Sequence, residues 1–136
     1  MTWKRALILE DDLDTLGALG DLLAMNGVSV IHGAQTIADA ERILTSGFRP
    51  SVVVLDLVLD GEMGEDFANR LRADPRYRDV PIIALSGDYL ALGRVSAIAH
   101  RTFLKPADTA EFLRAVHEAS AWSTPTMAAG VARVEA

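Results

Sequence analysis

The sequence predicts an α/β fold: a doubly wound, five-stranded parallel sheet with helices on both faces. Two observations support this prediction. Short apolar runs alternate five times with segments whose apolar residues recur at helical spacing. The third run, Val52-Val53-Val54-Leu55, contains no polar residue and is rich in β-branched side chains, which is typical of a central strand buried on both faces.

The strands are predicted from apolar runs that end at polar or turn-forming residues. They are expected at residues 6–9, 28–31, 52–55, 81–85 and 102–104. The first run stops at the acidic triplet Glu10-Asp11-Asp12, and the third ends at Asp56. The fourth ends at Ser86-Gly87 and the fifth at Lys105-Pro106.

The helices are predicted from apolar residues three and four positions apart and from residues that start or end helices. They are expected at residues 12–25, from Thr36 to near Gly47, through Phe67 and Leu71, at roughly 89–99, and from Thr109 onwards. Asn26-Gly27 ends the first helix and Asp74-Pro75 breaks the third. Thr36 and Thr109 are the predicted N-caps of the second and last helices.

The composition indicates one soluble domain. The chain has 136 residues, half of them apolar, which is the size of a single domain with its own core. We expect the domain to span residues 3–120 and residues 121–136 to form a frayed, flexible tail. No apolar run approaches the ~18 residues of a membrane span, and the N-terminus lacks a signal-peptide pattern. These features predict a cytoplasmic protein without membrane insertion.

Charge and cysteine content exclude several classes of function. The chain has no cysteine, which excludes disulfides, thiolate metal sites and cysteine nucleophiles. The formal net charge is −6 and basic residues form no stripe. Because phosphate contacts require concentrated lysine and arginine, we expect no direct nucleic-acid binding.

Polar side chains follow four of the predicted strands. The carboxyl ends of parallel strands lie at one edge of the sheet, where ligands bind in doubly wound folds. The acids after the first strand, Asp56, Ser86 and Lys105 are therefore expected to meet there. Carboxylates that converge repel one another unless a cation lies among them, and oxygen ligands without histidine or cysteine favour Mg²⁺.

This set of side chains suits phosphoryl transfer. Asp56 is the candidate nucleophile, Asp11 the main metal ligand, and Glu10 assists directly or through water. Lys105 and the Ser86 hydroxyl are expected to contact phosphoryl oxygens. Taken singly, each residue also fits a simpler interpretation, such as a helix cap, a turn, a bond to the backbone or a solvated side chain, and Asp12 fits only the cap.

Four segments, in this order, resemble the signature segments of response-regulator receiver domains. They are Leu9-Glu10-Asp11-Asp12, Leu55-Asp56-Leu57, Ala84-Leu85-Ser86-Gly87 and Phe103-Leu104-Lys105-Pro106. The resemblance covers about residues 3–120. By analogy with doubly wound folds of this kind, we expect the flavodoxin-like strand order 2-1-3-4-5.

The resemblance implies a role for each site residue. Asp56 matches the phosphoacceptor and is also expected to be a metal ligand, and Glu10 and Asp11 match the acidic pair that holds Mg²⁺. Val58 matches a position whose backbone carbonyl completes the metal shell. Ser86 matches the switch hydroxyl and Lys105 the family's site lysine, whose bond to the following proline is commonly cis. The implied partners are a histidine kinase or histidine phosphotransfer protein and a downstream protein target.

The chain departs from the family pattern in two places. Thr102 occupies a position where many members carry a switch aromatic, and the neighbouring Phe103 should face the opposite side of its strand. The span from Ser86 to Lys105 is short, which predicts a truncated fourth helix. In the loop after Asp56, the glycines are interpreted as flexible positions, and the acids as a solvated surface or a partner-docking edge. The glycines are Gly61 and Gly64, and the acids are Asp60, Glu62, Glu65 and Asp66.

Three hypotheses follow for function. The first is a stand-alone response regulator, not a conventional enzyme, whose output is protein–protein contact or onward phosphotransfer. The second is a receiver-like docking module that does not cycle phosphate. The third is a small phosphatase with an aspartate nucleophile; against it, no second aspartate lies two residues after Asp56.

Overall fold

A computed structural model describes the backbone of residues 4–128 and the side chains of residues 4–119. The strands are β1 (Arg5–Leu9), β2 (Val30–Ala34), β3 (Val52–Asp56), β4 (Val58–Leu59), β5 (Glu62–Met63), β6 (Ile82–Ser86) and β7 (Arg101–Leu104). The helices are α1 (Leu13–Met25), α2 (Ile37–Thr45), α3 (Gly64–Ala73), α4 (Tyr89–Val95) and α5 (Thr109–Ala128). None of these helices has the length and apolar character needed to cross a membrane.

Five strands form one parallel sheet in the order β2-β1-β3-β6-β7. Because β4 and β5 lie outside this sheet, the order matches the predicted 2-1-3-4-5 and confirms the predicted fold class. The two short strands pair with each other, antiparallel, with Val58 opposite Met63 and Leu59 opposite Glu62. The segment after Asp56 is therefore a hairpin, where the sequence predicted only a loop.

The sheet separates two apolar layers. All five residues of β3 are buried, as expected of a central strand. One face of the sheet packs against α2, α3 and α4 through residues such as Leu55 and Phe67. The other face packs against α1 and α5 through residues such as Val54 and Phe112. The alternation of side chains along β3 thus supplies both cores.

Two of the predicted helix caps are confirmed and one is wrong. The Asp12 carboxylate accepts from the amide of Thr15 at 2.9 Å, and the Thr36 hydroxyl accepts from the amide of Asp39 at 3.1 Å. The cap of α5 is Asp108, whose carboxylate accepts from the amide of Glu111 at 2.9 Å. Thr109 is instead the first residue of the helix, because aspartate is as good a cap as threonine and lies one position earlier.

Strand β2 begins later than predicted. The strand was expected at residues 28–31, but it runs from Val30 to Ala34 and pairs with β1 along its whole length. Val28 is buried, and its amide donates to the carbonyl of Leu23 at the end of α1. The apolar run therefore started in the turn, and the exposed face of this edge strand carried no apolar signal.

The fourth helix is truncated, as predicted, and ends at Val95. The guanidinium of Arg72 in α3 forms hydrogen bonds to the segment that follows α4. That group donates twice to the carbonyl of Ile98, at 3.0 and 2.7 Å, and also to the carbonyls of Arg78 and Val80. The bonds therefore connect the segment after α4 to the loop between α3 and β6 and satisfy three backbone carbonyls outside helices and strands.

The last helix continues beyond the expected end of the domain. The backbone of α5 is helical from Thr109 to Ala128, and residues 129–136 of the predicted tail lie outside the described part of the chain, as does residue 3. On the described turns, Phe112, Val116 and Ala119 are buried on one face. The domain boundary at residue 120 stays a prediction.

Candidate phosphoryl and metal site

The carboxyl edge of the sheet brings together side chains from three strand ends. The Lys105 ammonium lies 2.7 Å from Oδ2 of Asp56 and 3.2 Å from Oε1 of Glu10. These residues are far apart in sequence: Glu10 follows β1, Asp56 is the last residue of β3, and Lys105 follows β7. The parallel sheet alone makes them neighbours, since β1 and β7 flank the central pair β3 and β6.

Three carboxylates form a group that can hold a cation. Oxygens of Glu10, Asp11 and Asp56 all lie within 4.8 Å of one another. Glu10 and Asp56 are buried, with 2% and 6% of their surface exposed. When all three carboxylates are ionised, the one positive charge of Lys105 leaves an excess of negative charge at the site. Hard oxygen ligands with this excess fit Mg²⁺, which is normally held by a few carboxylates together with water or phosphate.

Burial and the crowding of charged groups at the site shift the pKa values of Glu10 and Lys105. Burial raises the pKa of the Glu10 carboxyl from 4.5 to about 7; the amide of Asp12 opposes this rise, and the neighbouring Asp56 adds to it. Burial lowers the pKa of Lys105, but the hydrogen bond and charge of Asp56 and the charge of Glu10 outweigh burial and raise it overall. Without a metal ion, the charged form of Glu10 is therefore disfavoured in the folded chain.

Replacing Glu10 with glutamine should stabilise the metal-free protein at alkaline pH. A carboxyl whose pKa is raised on folding binds more protons in the native state, so its stabilising effect is lost as pH rises from 4.5 through about 7. At pH 8 we expect the free energy of unfolding of Glu10→Gln to exceed that of wild type by on the order of 1–3 kcal/mol, and the difference to vanish only below about pH 4. Urea titrations in a metal chelator would measure this; equal stability at pH 8 would contradict it.

Asp56 is held from both sides of its carboxylate. Oδ1 accepts from the amide of Val58 at 2.9 Å, while Oδ2 accepts from Lys105. The backbone next to it is also fixed, because the amide of Leu57 donates to the carbonyl of Leu85 at 3.0 Å. Val58 therefore lies beside the carboxylate, and its carbonyl as a metal ligand stays a prediction.

Gly64 is packed against the backbone of this aspartate. Its amide donates to the carbonyl of Leu57 at 3.0 Å. A Cβ atom at Gly64 would lie 2.2 Å from the carbonyl oxygen of Asp56 and 2.8 Å from the Cα of Leu57. The interpretation of this glycine as loop flexibility was wrong, because its missing side chain permits close packing. Gly61, by contrast, has the positive φ of 72° that favours glycine in a turn.

Ser86 is fully buried at the end of β6. Its hydroxyl accepts from the amide of Asp88 at 2.9 Å, and its carbonyl accepts from the amide of Lys105 at 2.8 Å. The Asp88 carboxylate in turn caps α4 by accepting from the amide of Leu90 at 2.9 Å. The serine thus connects the site lysine to the first turn of α4. The Lys105–Pro106 peptide bond is cis, as the resemblance implied.

Two acids of the segment after Asp56 are not merely solvated, as the sequence suggested. The Glu62 carboxylate accepts from the amide of Ile37 at 3.0 Å, and Glu65 pairs with Arg94 at 2.8 Å. Asp60 is exposed, as expected. Neither contact has a local sequence signal, because each joins segments more than twenty residues apart.

The residues of β7 divide between the two faces of the sheet. Phe103 is buried and packs edge-on against Phe112 of α5, with ring centroids 6.1 Å apart. The guanidinium of Arg101 lies 4.9 Å from the centre of the Phe103 ring. Phe103 therefore belongs to the α1 and α5 side, and Thr102 stands on the side of α4.

The site lies in a chain that matches known proteins along most of its length. Residues 6–117 match the family model of the response regulator receiver domain. A curated protein from Thiocystis violacea, described as an uncharacterized 76.5 kDa protein, is 32% identical over 84 residues, which is 60% of this chain. The chain spans 12% of the length of that relative.

Solved structures agree with this match. A response regulator receiver protein from Pseudomonas putida superposes with a TM-score of 0.78 at 25% identity, covering 87% of this chain and 98% of the other. The receiver domain of a DNA-binding response regulator from Colwellia psychrerythraea 34H gives 0.76 at 26% identity, covering 85% and 96%. Together with the sheet order and the matching family model, these similarities show that the chain belongs to the response-regulator receiver domains of two-component signalling.

Proposed function

We propose that this chain is a phosphoacceptor switch in which Asp56 takes up a phosphoryl group in the presence of Mg²⁺. The observation that carries the proposal is the contact of the buried Asp56 carboxylate with Lys105 inside a group of carboxylates able to hold a cation. Phosphoryl transfer needs a nucleophilic oxygen, a fixed cation and a place for a metal, and the cleft offers all three.

The reaction forms one bond and breaks one bond. A carboxylate oxygen of Asp56 attacks the phosphorus of the donor, the bond from phosphorus to the donor's leaving atom breaks with its electron pair, and a mixed anhydride results. Glu10, Asp11 and the Val58 carbonyl would hold Mg²⁺, which neutralises charge on the phosphoryl oxygens. The amide of Val58 orients the carboxylate, and Lys105 stabilises the charge that develops on the transferred group.

The signal would leave the site through Ser86. In the present state its hydroxyl accepts from the amide of Asp88. When that hydroxyl turns to a phosphoryl oxygen, the amide of Asp88 loses its acceptor, and the first turn of α4 is free to rearrange. This route does not need an aromatic residue at position 102.

The partners follow from the family. Receiver domains interact with histidine kinases and with downstream effectors, and we propose that a histidine kinase or histidine phosphotransfer protein supplies the phosphoryl group. We propose that the output is contact with a protein target or onward phosphotransfer. The domain then assists its own phosphorylation and dephosphorylation without turning over an external substrate.

Incubation with phosphoramidate and Mg²⁺ tests the proposal. We expect the intact mass of wild type to rise by one phosphoryl group and that of Asp56→Asn to stay unchanged, because the amide is a poor nucleophile. A chelator should abolish the gain. A chain that gains no mass, or gains it equally in Asp56→Asn, would rule out the proposed acceptor.

The docking-module hypothesis remains a second candidate because Thr102 and the seven-residue α4 depart from the usual relay. It predicts that Asp56→Asn binds its protein partner as tightly as wild type, whether or not a phosphodonor is present. A phosphoacceptor switch predicts an affinity that changes when the donor is added to wild type and stays constant in Asp56→Asn.

A further inference from the structure

A short segment between β2 and α2 is bonded to both loops of the proposed metal site. We define the bracket as residues 34–37. The carbonyl of Ala34 accepts from the amide of Glu10 at 3.0 Å. The Gln35 side-chain amide donates to the carbonyl of Asp11 at 3.1 Å, and the amide of Ile37 donates to the Glu62 carboxylate at 3.0 Å.

The bracket is itself firmly anchored. Ala34 and Ile37 are buried, with 2% and 5% of their surface exposed. The Thr36 hydroxyl caps α2, so the backbone between the two anchors is fixed as well. Loops that are hydrogen-bonded to such a segment are less mobile, so they lose less conformational entropy when a ligand binds.

The two attached loops carry the proposed metal ligands. Gln35 holds the loop after β1, which contains Glu10 and Asp11. Glu62 lies opposite Leu59 in the β4–β5 hairpin, whose first residue is Val58. Its carboxylate also lies at the amino end of α2, where a negative charge is favoured. Each side chain therefore holds one side of the site and lies outside the group of Glu10, Asp11 and Asp56 that could hold a cation.

We propose that Gln35 and Glu62 are positioning residues, which hold the two metal-binding loops in register by fastening both to the start of α2. The inference rests on the proposed function, because it assumes that the carboxylate group binds Mg²⁺. Coupling between two sites is reciprocal. If the bond between Ile37 and Glu62 lowers the dissociation constant for Mg²⁺ by some factor, Mg²⁺ should favour formation of that bond by the same factor.

Calorimetric titration of the full chain with Mg²⁺ alone tests this role. We expect Glu62→Ala and Gln35→Ala each to raise the dissociation constant about three- to tenfold. Glu62→Gln keeps a carbonyl oxygen that can accept from Ile37, so it should stay within about twofold of wild type. Asp60→Asn removes an exposed charge from the same hairpin and should also stay within about twofold, because charge alone is screened there.

A second measurement needs no variant and therefore does not depend on how Glu62→Ala folds. Amide exchange of wild type should show that saturating Mg²⁺ slows exchange at Ile37 about three- to tenfold, and changes it less at Asp39, whose amide is capped by Thr36.

The outcomes separate the two proposals. If wild type does not bind Mg²⁺, the proposed metal site is wrong. If wild type binds Mg²⁺ but Glu62→Ala binds it equally well, or Glu62→Gln is as weak as Glu62→Ala, the positioning role is overturned. Unchanged exchange at Ile37 on Mg²⁺ binding would overturn it too.

Discussion

Replacing Gly64 with alanine is expected to lower the free energy of unfolding by roughly 3 kcal/mol or more, because the added methyl group has no space. The new Cβ would lie 2.2 Å from the carbonyl oxygen of Asp56, and that oxygen belongs to backbone that cannot rotate away. This clash can be relieved only if α3 or the end of β3 moves. Any folded fraction should also bind Mg²⁺ more weakly, since the displaced residue is Asp56 itself.

Urea denaturation of Gly64→Ala against a matched glycine variant would measure this effect. Gly17 lies on the exposed face of α1, and a Cβ there would meet nothing within 4 Å. Gly17→Ala should therefore raise stability by about 0.5–1 kcal/mol through helix propensity. If Gly64→Ala proves as stable as wild type, the close packing behind the acceptor is wrong.

Replacing Lys105 with methionine is expected to slow phosphoryl uptake from phosphoramidate about 100-fold, because a fixed charge at the reacting group is lost. The ammonium is the cation that contacts both Asp56 and Glu10 among the described residues. Methionine has a similar length and fills much of the same space, so the change is mainly one of charge. Single-turnover rates from quenched mass measurements would give the ratio.

Two further variants define what Lys105 contributes. Lys4 is the only other lysine in the chain, and it contacts His117 away from the site. Lys4→Met should keep the wild-type rate within about twofold, since a charge far from the site is screened. Lys105→Arg retains the charge but presents a planar fork, so its rate should fall between wild type and Lys105→Met. A wild-type rate in Lys105→Met would remove the lysine from the mechanism.

Much of the fold could be predicted because its signals are local. The unbroken apolar run 52–55 identifies a central strand, and Asp12 and Thr36 stand where caps are needed. The meeting of Glu10, Asp56 and Lys105 was also predictable, since parallel strands place their carboxyl ends at one edge. These features follow from the spacing of apolar residues within each strand or helix and from the residues at its ends.

The features that the sequence did not reveal depend on contacts between distant segments. Nothing near Gly64 shows that the backbone of Asp56 passes against it, because that approach follows from the hairpin geometry. The bond from Ile37 to Glu62 spans 25 positions and joins the first residue of α2 to the β4–β5 hairpin. The predicted start of β2 was wrong for a related reason. An edge strand that is largely exposed shows no regular alternation of apolar and polar residues.

The carboxylate of Asp56 is the group that we expect to carry the phosphoryl group. Treating the chain with phosphoramidate and Mg²⁺ and then with borohydride reduces an aspartyl phosphate to homoserine, which peptide mass analysis locates. We expect homoserine at position 56, dependent on both donor and Mg²⁺ and absent from Asp56→Asn. Homoserine at another position, or unreduced aspartate throughout after the chain has gained phosphoryl mass, would contradict it.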